Sequence, residues 1–323
     1  MREETVCAET PGYRLPREKG FTVRDGFGQT GPGERVVSIG IFDGVHIGHR
    51  AILEKAAEEA ARTSALPSVL TFSGIAKAGS DAGGMIFGET EKEEFLFEAG
   101  AREMHTVDFS SVREMDCKTF VNEVLIGKLS ARAAVVGEDF RFGFRRSGDA
   151  ETLVSLMRQA GRECFVLPRK TCDGEPVSST AVRSLLKSGD IEKANRWMGH
   201  PMTWILPVVS GSRVGRRIGY PTVNQKIPPE RVLPKFGVYV VSADTGNGVF
   251  RGVCNVGVKP TFGGTEPLAE TYLDGFSGDL YGKTVKLSLC RFLRPERAFR
   301  GADELREQIA RDIAAAFEGE STS

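Results

Sequence analysis

The hydrophobic positions follow two different periods, and the change between them divides the chain near residue 200. Before that point, short apolar runs alternate with helical patterns. The runs Val36–Phe42, Leu66–Phe72, Glu103–Val107, Ala133–Val136 and Glu163–Leu167 predict strands. Between and after them, Arg50–Thr63, Thr90–Glu98, Cys117–Leu125, Ala150–Gln159, Thr180–Leu186 and Ile191–Met198 place apolar residues at helical spacing. Strands alternating with helices predict an α/β domain with a mostly parallel sheet and helices on both faces. Beyond Gly199-His200-Pro201 the helical spacing gives way to short β-type runs set off by Gly and Pro: Met202–Ser210, Val238–Ala243, Val249–Val256, Leu268–Leu273 and Thr284–Arg291. They predict a small antiparallel β-barrel. One amphipathic helix, about Asp303 to Phe317, closes the chain. Residues 1–34 are polar and rich in Gly, Pro and charge, which predicts a loosely ordered leader. The expected domains are 35–199 and 200–323.

Composition narrows the function classes. The 323 residues suffice for two ordinary domains. Lys+Arg and Asp+Glu are both 43, so the formal net charge is zero, which argues against bulk nucleic-acid binding while allowing a local phosphate site. No helix-turn-helix pattern is evident. No apolar run approaches a membrane span, and Met1-Arg2-Glu3-Glu4 lacks the apolar core of a signal peptide. The six cysteines (Cys7, Cys117, Cys164, Cys172, Cys254, Cys290) are scattered with no Cys-x-x-Cys pair, which predicts reduced thiols and no structural zinc. The expectation is a cytoplasmic protein with no membrane or nucleic-acid partner. Homo-oligomerisation is left open.

The densest chemistry lies in Gly40-Ile41-Phe42-Asp43-Gly44-Val45-His46-Ile47-Gly48-His49, between the first strand and the first helix. A helix's first turn carries free N–H groups and partial positive charge, which attract phosphate. Gly40, Gly44 and Gly48 let the backbone approach a ligand. His46 and His49 can donate hydrogen bonds to phosphate oxygens that gain charge during reaction. Taken alone, His-x-x-His also fits a metal pair or a structural turn. The full Gly-x-Phe-Asp-x-x-His-x-Gly-His string resembles the nucleotidylyltransferase signature, in the form found in the bacterial bifunctional riboflavin kinase/FAD synthetase family. The resemblance covers about residues 35 to 318.

Two more segments of the first half carry it. Val135-Val136-Gly137-Glu138-Asp139-Phe140-Arg141-Phe142-Gly143 matches a family loop beside the nucleotide, although by itself it also fits a surface loop with packed phenylalanines. Val177-Ser178-Ser179-Thr180-Ala181-Val182-Arg183 places hydroxyls at a helix start and Arg183 one turn on, where its fork can clamp phosphate. An ordinary helix cap uses the same residues, and the string resembles the family's Ser-Ser-Thr-x-x-Arg motif. The resemblance implies ATP and phosphate contacts from Gly40, Phe42, Asp43, Gly44, Gly48, Asp139, Ser178, Ser179 and Thr180, with His46, His49 and Arg183 catalytic. One departure stands out. The family's Pro-His-Pro element after Thr-Phe is replaced here by Thr71-Phe72-Ser73-Gly74-Ile75-Ala76-Lys77, which puts adenylylation in doubt.

In the second half, Gly215-Arg216-Arg217-Ile218-Gly219-Tyr220-Pro221-Thr222-Val223-Asn224 suits nucleotide phosphates or an exposed loop. Thr222 and Asn224 alternate, so on an extended segment they face one side and can offer neutral oxygens to Mg²⁺. The string resembles the riboflavin kinase Gly-Arg…Gly-x-Pro-Thr-x-Asn motif, which implies phosphate contacts at Gly215, Arg216 and Gly219. Glu270 sits in an apolar strand, either on its solvent side or as a catalytic group, and the resemblance makes it the kinase base. Asn255, Gly257 and Thr261 match a family segment implying flavin contacts. Near Asp274-Gly275-Phe276 the family's order is disturbed. Gly278-Asp279-Leu280-Tyr281-Gly282-Lys283-Thr284 looks like a phosphate-binding P-loop, but it is one residue short and leads into a strand. The function implied is phosphorylation of riboflavin to FMN and transfer of AMP from ATP to FMN, with Mg²⁺ as cofactor. The alternatives are a kinase whose first domain has lost adenylylation and a non-catalytic flavin- or nucleotide-binding regulator.

Overall fold

The computed structural model describes residues 13–27, 31–74, 84–211, 215, 218–261 and 264–318, with backbone alone for 259–261 and 264–265. The chain divides into two compact units. The first takes Leu15–Val182 and Trp197–Gly199. Its sheet has six parallel strands: β1 (Thr22–Asp25), β2 (Arg35–Ile39), β3 (Leu66–Ser73), β4 (Glu103–Asp108), β5 (Ala131–Gly137) and β6 (Glu163–Leu167), in the order β1-β4-β3-β2-β5-β6. The order reverses between β2 and β5, and ligands of such sheets bind outside the carboxyl ends of the strands at that point. Helices α1 (Ile47–Thr63), α2 (Glu89–Glu98) and α3 (Ala150–Gln159) join the strands, with a π-helical segment over Phe120–Lys128. Val37, Ile39 and Val136 from the sheet pack with Val124, Leu125 and Leu153 in one buried cluster.

The reading of residues 1–34 as a loose leader fails for its described part. Thr22–Asp25 is the edge strand β1, paired in parallel with β4. Phe21 is 3% exposed and meets Phe97 edge to face at 6.0 Å. Arg17 and Lys19 pair with Glu93 and Glu94 of α2, which adds charge pairing to the Phe21–Phe97 contact. An edge strand needs backbone partners more than side-chain burial, so its polar sequence gives little signal.

At the opposite end of the sheet from the ligand side, the chain buries an ion cluster. Glu103 at the start of β4 is 1% exposed. It accepts hydrogen bonds from Arg35 Nε (2.6 Å), Arg24 Nε (2.7 Å) and Ser68 Oγ (3.0 Å), and its carboxylate lies 3.1 Å from His105 Nε2. Burial alone would raise its pKa, but His105, Arg35 and Arg24 together hold it well below the usual carboxylate range. The cluster ties four strands at one point.

The second unit takes Arg183–Arg196 and the chain from His200 onward, with residues 13–14. Its strands are β7 (Met202–Pro207), β8 (Thr222–Lys226), β9 (Gly237–Asp244), β10 (Val249–Thr261), β11 (Gly264–Leu273) and β12 (Thr284–Pro295), antiparallel in the order β7-β12-β9-β10-β11-β8. The two edges meet. A bridge joins Val209 to Asn224, and Gln225 Nε2 donates across the seam to Leu206 O (2.8 Å) and Val285 O (3.0 Å). Trp204, Tyr239 and Leu287 are fully buried in this unit. Helices α4 (Ser179–Ser188) and α5 (Ile191–Met198) lead into it. Arg183–Arg196, expected in the first domain, belongs here for a local reason. Asn195 donates to Leu289 O (2.9 Å) and accepts from Met202 N (2.8 Å), and Lys235 N donates to Leu186 O (3.0 Å). Helix α6 (Ala302–Phe317) lies on the outer face of the barrel, where Ala316 packs with Val238, Val240 and Val253.

Replacing Glu103 by Ala would leave Arg35 buried without a counter-charge, so urea denaturation at pH 7 should show a loss of about 3–5 kcal/mol. Because the folded-state pKa lies below the ordinary value of 4.5, the carboxylate's contribution is complete above that value and lost as the folded group protonates. The gap between wild type and Glu103→Ala should therefore narrow as the pH falls below 4.5. An equal gap at all pH values would contradict the ion-cluster account.

Candidate active sites

The turn after β2 departs from ordinary backbone geometry at successive positions. Phe42 (φ 54°), Gly44 (φ 76°) and the β-branched Val45 (φ 34°) all have positive φ. Such conformations persist only where the surroundings hold them. Here Phe42 is fully buried, and Asp43 accepts hydrogen bonds from Ile86 N (3.0 Å) and Phe87 N (3.1 Å). A Cβ on Gly44 would stand 2.7 Å from Ile86. Ser179 Oγ donates to Asp43 O (2.8 Å), so the first turn of α4 is fastened to the same loop.

The turn makes His46 the N-cap of α1. Its Nδ1 accepts the His49 backbone N–H at 3.4 Å. The two rings stack, with centroids 3.7 Å apart, and Phe42 meets His49 edge on at 5.3 Å. A Cβ on Gly48 would stand 3.2 Å from the His46 ring. Burial pushes the His46 imidazole down to about 4, against a smaller pull from Asp139. Burial, then His46, then Lys92 push His49 well below its usual value. Both rings are therefore neutral near pH 7. With Nδ1 of His46 accepting, its proton sits on Nε2, which is left as a donor.

The other expected residues of this half are more scattered in role. Phe42 and Asp43 spend their side chains on packing and on holding the loop. Asp139 pairs with Arg169 at 3.1 Å on a cavity also lined by Glu138, Arg141 and Arg146. Ser178 caps α4 by accepting from Ala181 N (3.3 Å), and Thr180 lies in that helix's first turn. Arg183 is one turn into α4, in the second compact unit. Gly40 follows β2 and donates its N–H to Leu70 O (3.1 Å).

In the barrel, strand register aligns three candidates. Asn224 on β8 and Asn255 on β10 both stand opposite Glu270 on the intervening β11, so the three share one face. That face is the outer one, beneath α6. A cavity of about 180 Å³ there is lined by Thr222, Asn255, Glu270 and Tyr272 from the strands and by Leu305, Ile309 and Asp312 from α6. Asn224 is 4% exposed and its Oδ1 has no hydrogen-bond partner. Among the described residues no group of three or more His, Cys, Asp or Glu can cage a metal ion, so a cation here would need ligands beyond protein carboxylates and imidazoles. Gly215 accepts from Tyr220 N at 2.8 Å, and Gly219 takes a left-handed φ of 86°. Gly278–Lys283 leads into β12, as the rejection of a P-loop requires. Arg216 and the side chain of Thr261 lie outside the described residues.

Sequence reasoning missed the far wall of this cavity. Arg294 grips Asp312 of α6 through two hydrogen bonds of 2.8 and 2.7 Å. Glu296 accepts from Asn255 Nδ2 at 3.0 Å and fills the space beside Gly257, where a Cβ would collide with it. Arg297 stacks on Phe299 at 4.8 Å. The only available signal was the charged stretch Arg294-Pro295-Glu296-Arg297 continuing a strand that the apolar pattern ended at Arg291.

Comparison with known proteins agrees with this division. A family model described as FAD synthetase matches residues 29–181, and one described as riboflavin kinase matches residues 198–318. A bifunctional riboflavin kinase/FMN adenylyltransferase from Escherichia coli K12 is 35% identical over 88% of this chain and 92% of its own length. The protein of that name from Bacillus subtilis is 32% identical over 86% and 90%. A crystal structure described as a macrolide-efflux protein from Streptococcus pneumoniae is similar with a TM-score of 0.79 and 27% identity, over 90% of this chain and 97% of that one. Among the described residues no helix is long and apolar enough to cross a membrane. With a riboflavin kinase domain following an FAD synthetase domain along most of its length, the chain belongs to the bifunctional riboflavin kinase/FMN adenylyltransferase family.

Proposed function

We propose that both halves turn over on their own sites: the barrel phosphorylates riboflavin to FMN, and the parallel-sheet domain transfers AMP from ATP to FMN. The observation that carries the kinase half is the register that sets Asn224, Glu270 and Asn255 side by side, with Glu270 and Asn255 on the wall of the cavity beneath α6. Glu270 takes the proton from the riboflavin 5′-hydroxyl as that oxygen bonds to the γ-phosphorus of ATP. The bond from that phosphorus to the bridging oxygen breaks, and ADP leaves with the electron pair. Asn255, held by Glu296, lies beside the flavin together with Gly257 and Thr261. Gly215, Arg216 and Gly219 receive the phosphates.

Thr222 and Asn224 fit Mg²⁺: they alternate on β8, and Asn224 presents a buried oxygen without a partner. Bound there, the ion would neutralise charge on the phosphates.

In the adenylyl transfer the FMN phosphate is itself the nucleophile. Its oxygen bonds to the α-phosphorus of ATP, the bond to the β-phosphate breaks, and pyrophosphate leaves with the electron pair. No protein base is required, so the protein positions and stabilises charge. His46 donates from Nε2, His49 backs it, and the N-terminus of α1 faces the phosphates. Both imidazoles are neutral in the free protein, so they bind by hydrogen bonding and not as fixed cations.

Four variants test the two sites. Glu270→Gln should lower riboflavin phosphorylation about 10²–10⁴-fold and leave FMN adenylylation intact; loss of both activities would defeat the two-site reading. His46→Ala or His49→Ala should lower FAD formation about 10²–10³-fold with FMN formation preserved, and unchanged FAD formation would remove their assigned role. Asn224→Ala should raise the Mg²⁺ concentration for half-maximal kinase activity about tenfold, the loss of one interaction with a charged group. An unaltered titration would count against ligation there.

A further inference from the structure

The first unit contains a partly buried cation that the adenylyl transfer described above does not use. Lys92 stands on the first turn of α2 and donates its backbone N–H to Gly88 O at 3.0 Å. Its ammonium donates to Thr71 Oγ1 at 2.7 Å, near the carboxyl end of β3, and Thr71 donates on to Ile41 O at 3.3 Å. Among the described residues it makes no ion pair, and no second acceptor takes its other two N–H groups. Burial pushes its pKa down to about 8, while Asp43 on the β2–α1 turn and Glu89 on its own helix act to raise it. It remains mostly charged at pH 7.

A second, independent feature stands at the same place. Lys92 is close enough to His49 to lower its pKa, and His49 Nδ1 is buried with no hydrogen-bond partner. Asp43 binds Ile86 N and Phe87 N, just ahead of α2, so the helix start is fixed to the histidine turn. The ammonium, with one neutral hydrogen-bond partner, and the imidazole nitrogen, with none, each lose hydration that is only partly compensated. An oxyanion that met both groups would offset these losses, and backbone N–H groups at the start of α1 favour negative charge.

We propose that Lys92 contacts a phosphate oxygen of ATP or FMN beside His49, as a second binding group of the adenylyl-transfer site. This inference rests on the adenylyl-transfer reading of the first domain. The groups whose charge bears on the pH response are Asp43 and His49 on the turn, His46 behind His49, and Glu89 on α2; Thr71 is neutral.

The test uses the full-length protein with FMN, ATP and MgCl₂, following FAD from pH 6 to 9.5. Wild-type kcat/KM, which reports the free enzyme, should fall above about pH 8. Lys92→Met should lower kcat/KM about 10²-fold at pH 7, with riboflavin phosphorylation as the control for folding. Lys92→Arg should recover much of the activity and show no alkaline fall, because a guanidinium stays charged across this range. A rise in KM for FMN alone assigns the contact to the FMN phosphate, and a rise for ATP alone assigns it to the triphosphate. Wild-type kcat/KM in Lys92→Met, or an alkaline fall unchanged in Lys92→Arg, overturns the inference while leaving adenylyl transfer standing. A wild-type protein that forms no FAD removes the adenylyl-transfer reading and this inference with it.

Discussion

The first domain depends on one strained turn. Phe42, Gly44 and Val45 hold left-handed backbone between β2 and α1. Along that path the chain leaves the centre of a parallel sheet, caps a helix with an imidazole and stacks the next imidazole upon it within a few residues. Such backbone would not stay there unaided. The turn is held by the fully buried Phe42 ring, by the two N–H groups that Asp43 accepts, and by Ser179 on the Asp43 carbonyl. Strain at the site is thus balanced by burial of Phe42 and by contacts from two other parts of the domain, which fixes the histidines before any ligand arrives. Burial then sets their chemistry by keeping both rings neutral.

The barrel uses a different device. Its interior holds Trp204, Tyr239 and Leu287, all fully buried. The alternation of strand side chains instead delivers Asn224, Glu270 and Asn255 to the outer face, and α6 turns that face into a cavity. The helix is fastened at two levels. Arg294 grips Asp312, and Arg251 and Arg291 reach the carbonyls of Ala316 and Ala315 near its end. A carboxylate that would be solvated on an open sheet is thereby placed in a walled space.

Much of this was legible in the sequence because the relevant signals are local. Continuous apolar runs marked β2 to β6, and helical spacing marked α1, α3 and α5 closely. The Gly-x-Phe-Asp-x-x-His-x-Gly-His string located the turn. What was not legible depends on pairing between distant segments. Strand β1 is polar and owes its place to β4. The partition of Arg183–Arg196 with the barrel follows from Asn195 reaching Leu289 and from Leu186 meeting Lys235, contacts no periodicity encodes. Likewise Lys92 reads as one charge among many in Glu89-Thr90-Glu91-Lys92-Glu93-Glu94, and only the fold shows that it is the one turned toward Thr71.

The central claim is that one chain holds two separate catalytic sites working on the same flavin. Its most direct test is a time course of the purified protein with riboflavin, ATP and MgCl₂, with flavins separated by chromatography. The account predicts FMN first and FAD after it, with FMN passing through a maximum. FMN accumulating without FAD would contradict the account of the histidine turn, and unchanged riboflavin would contradict that of the barrel.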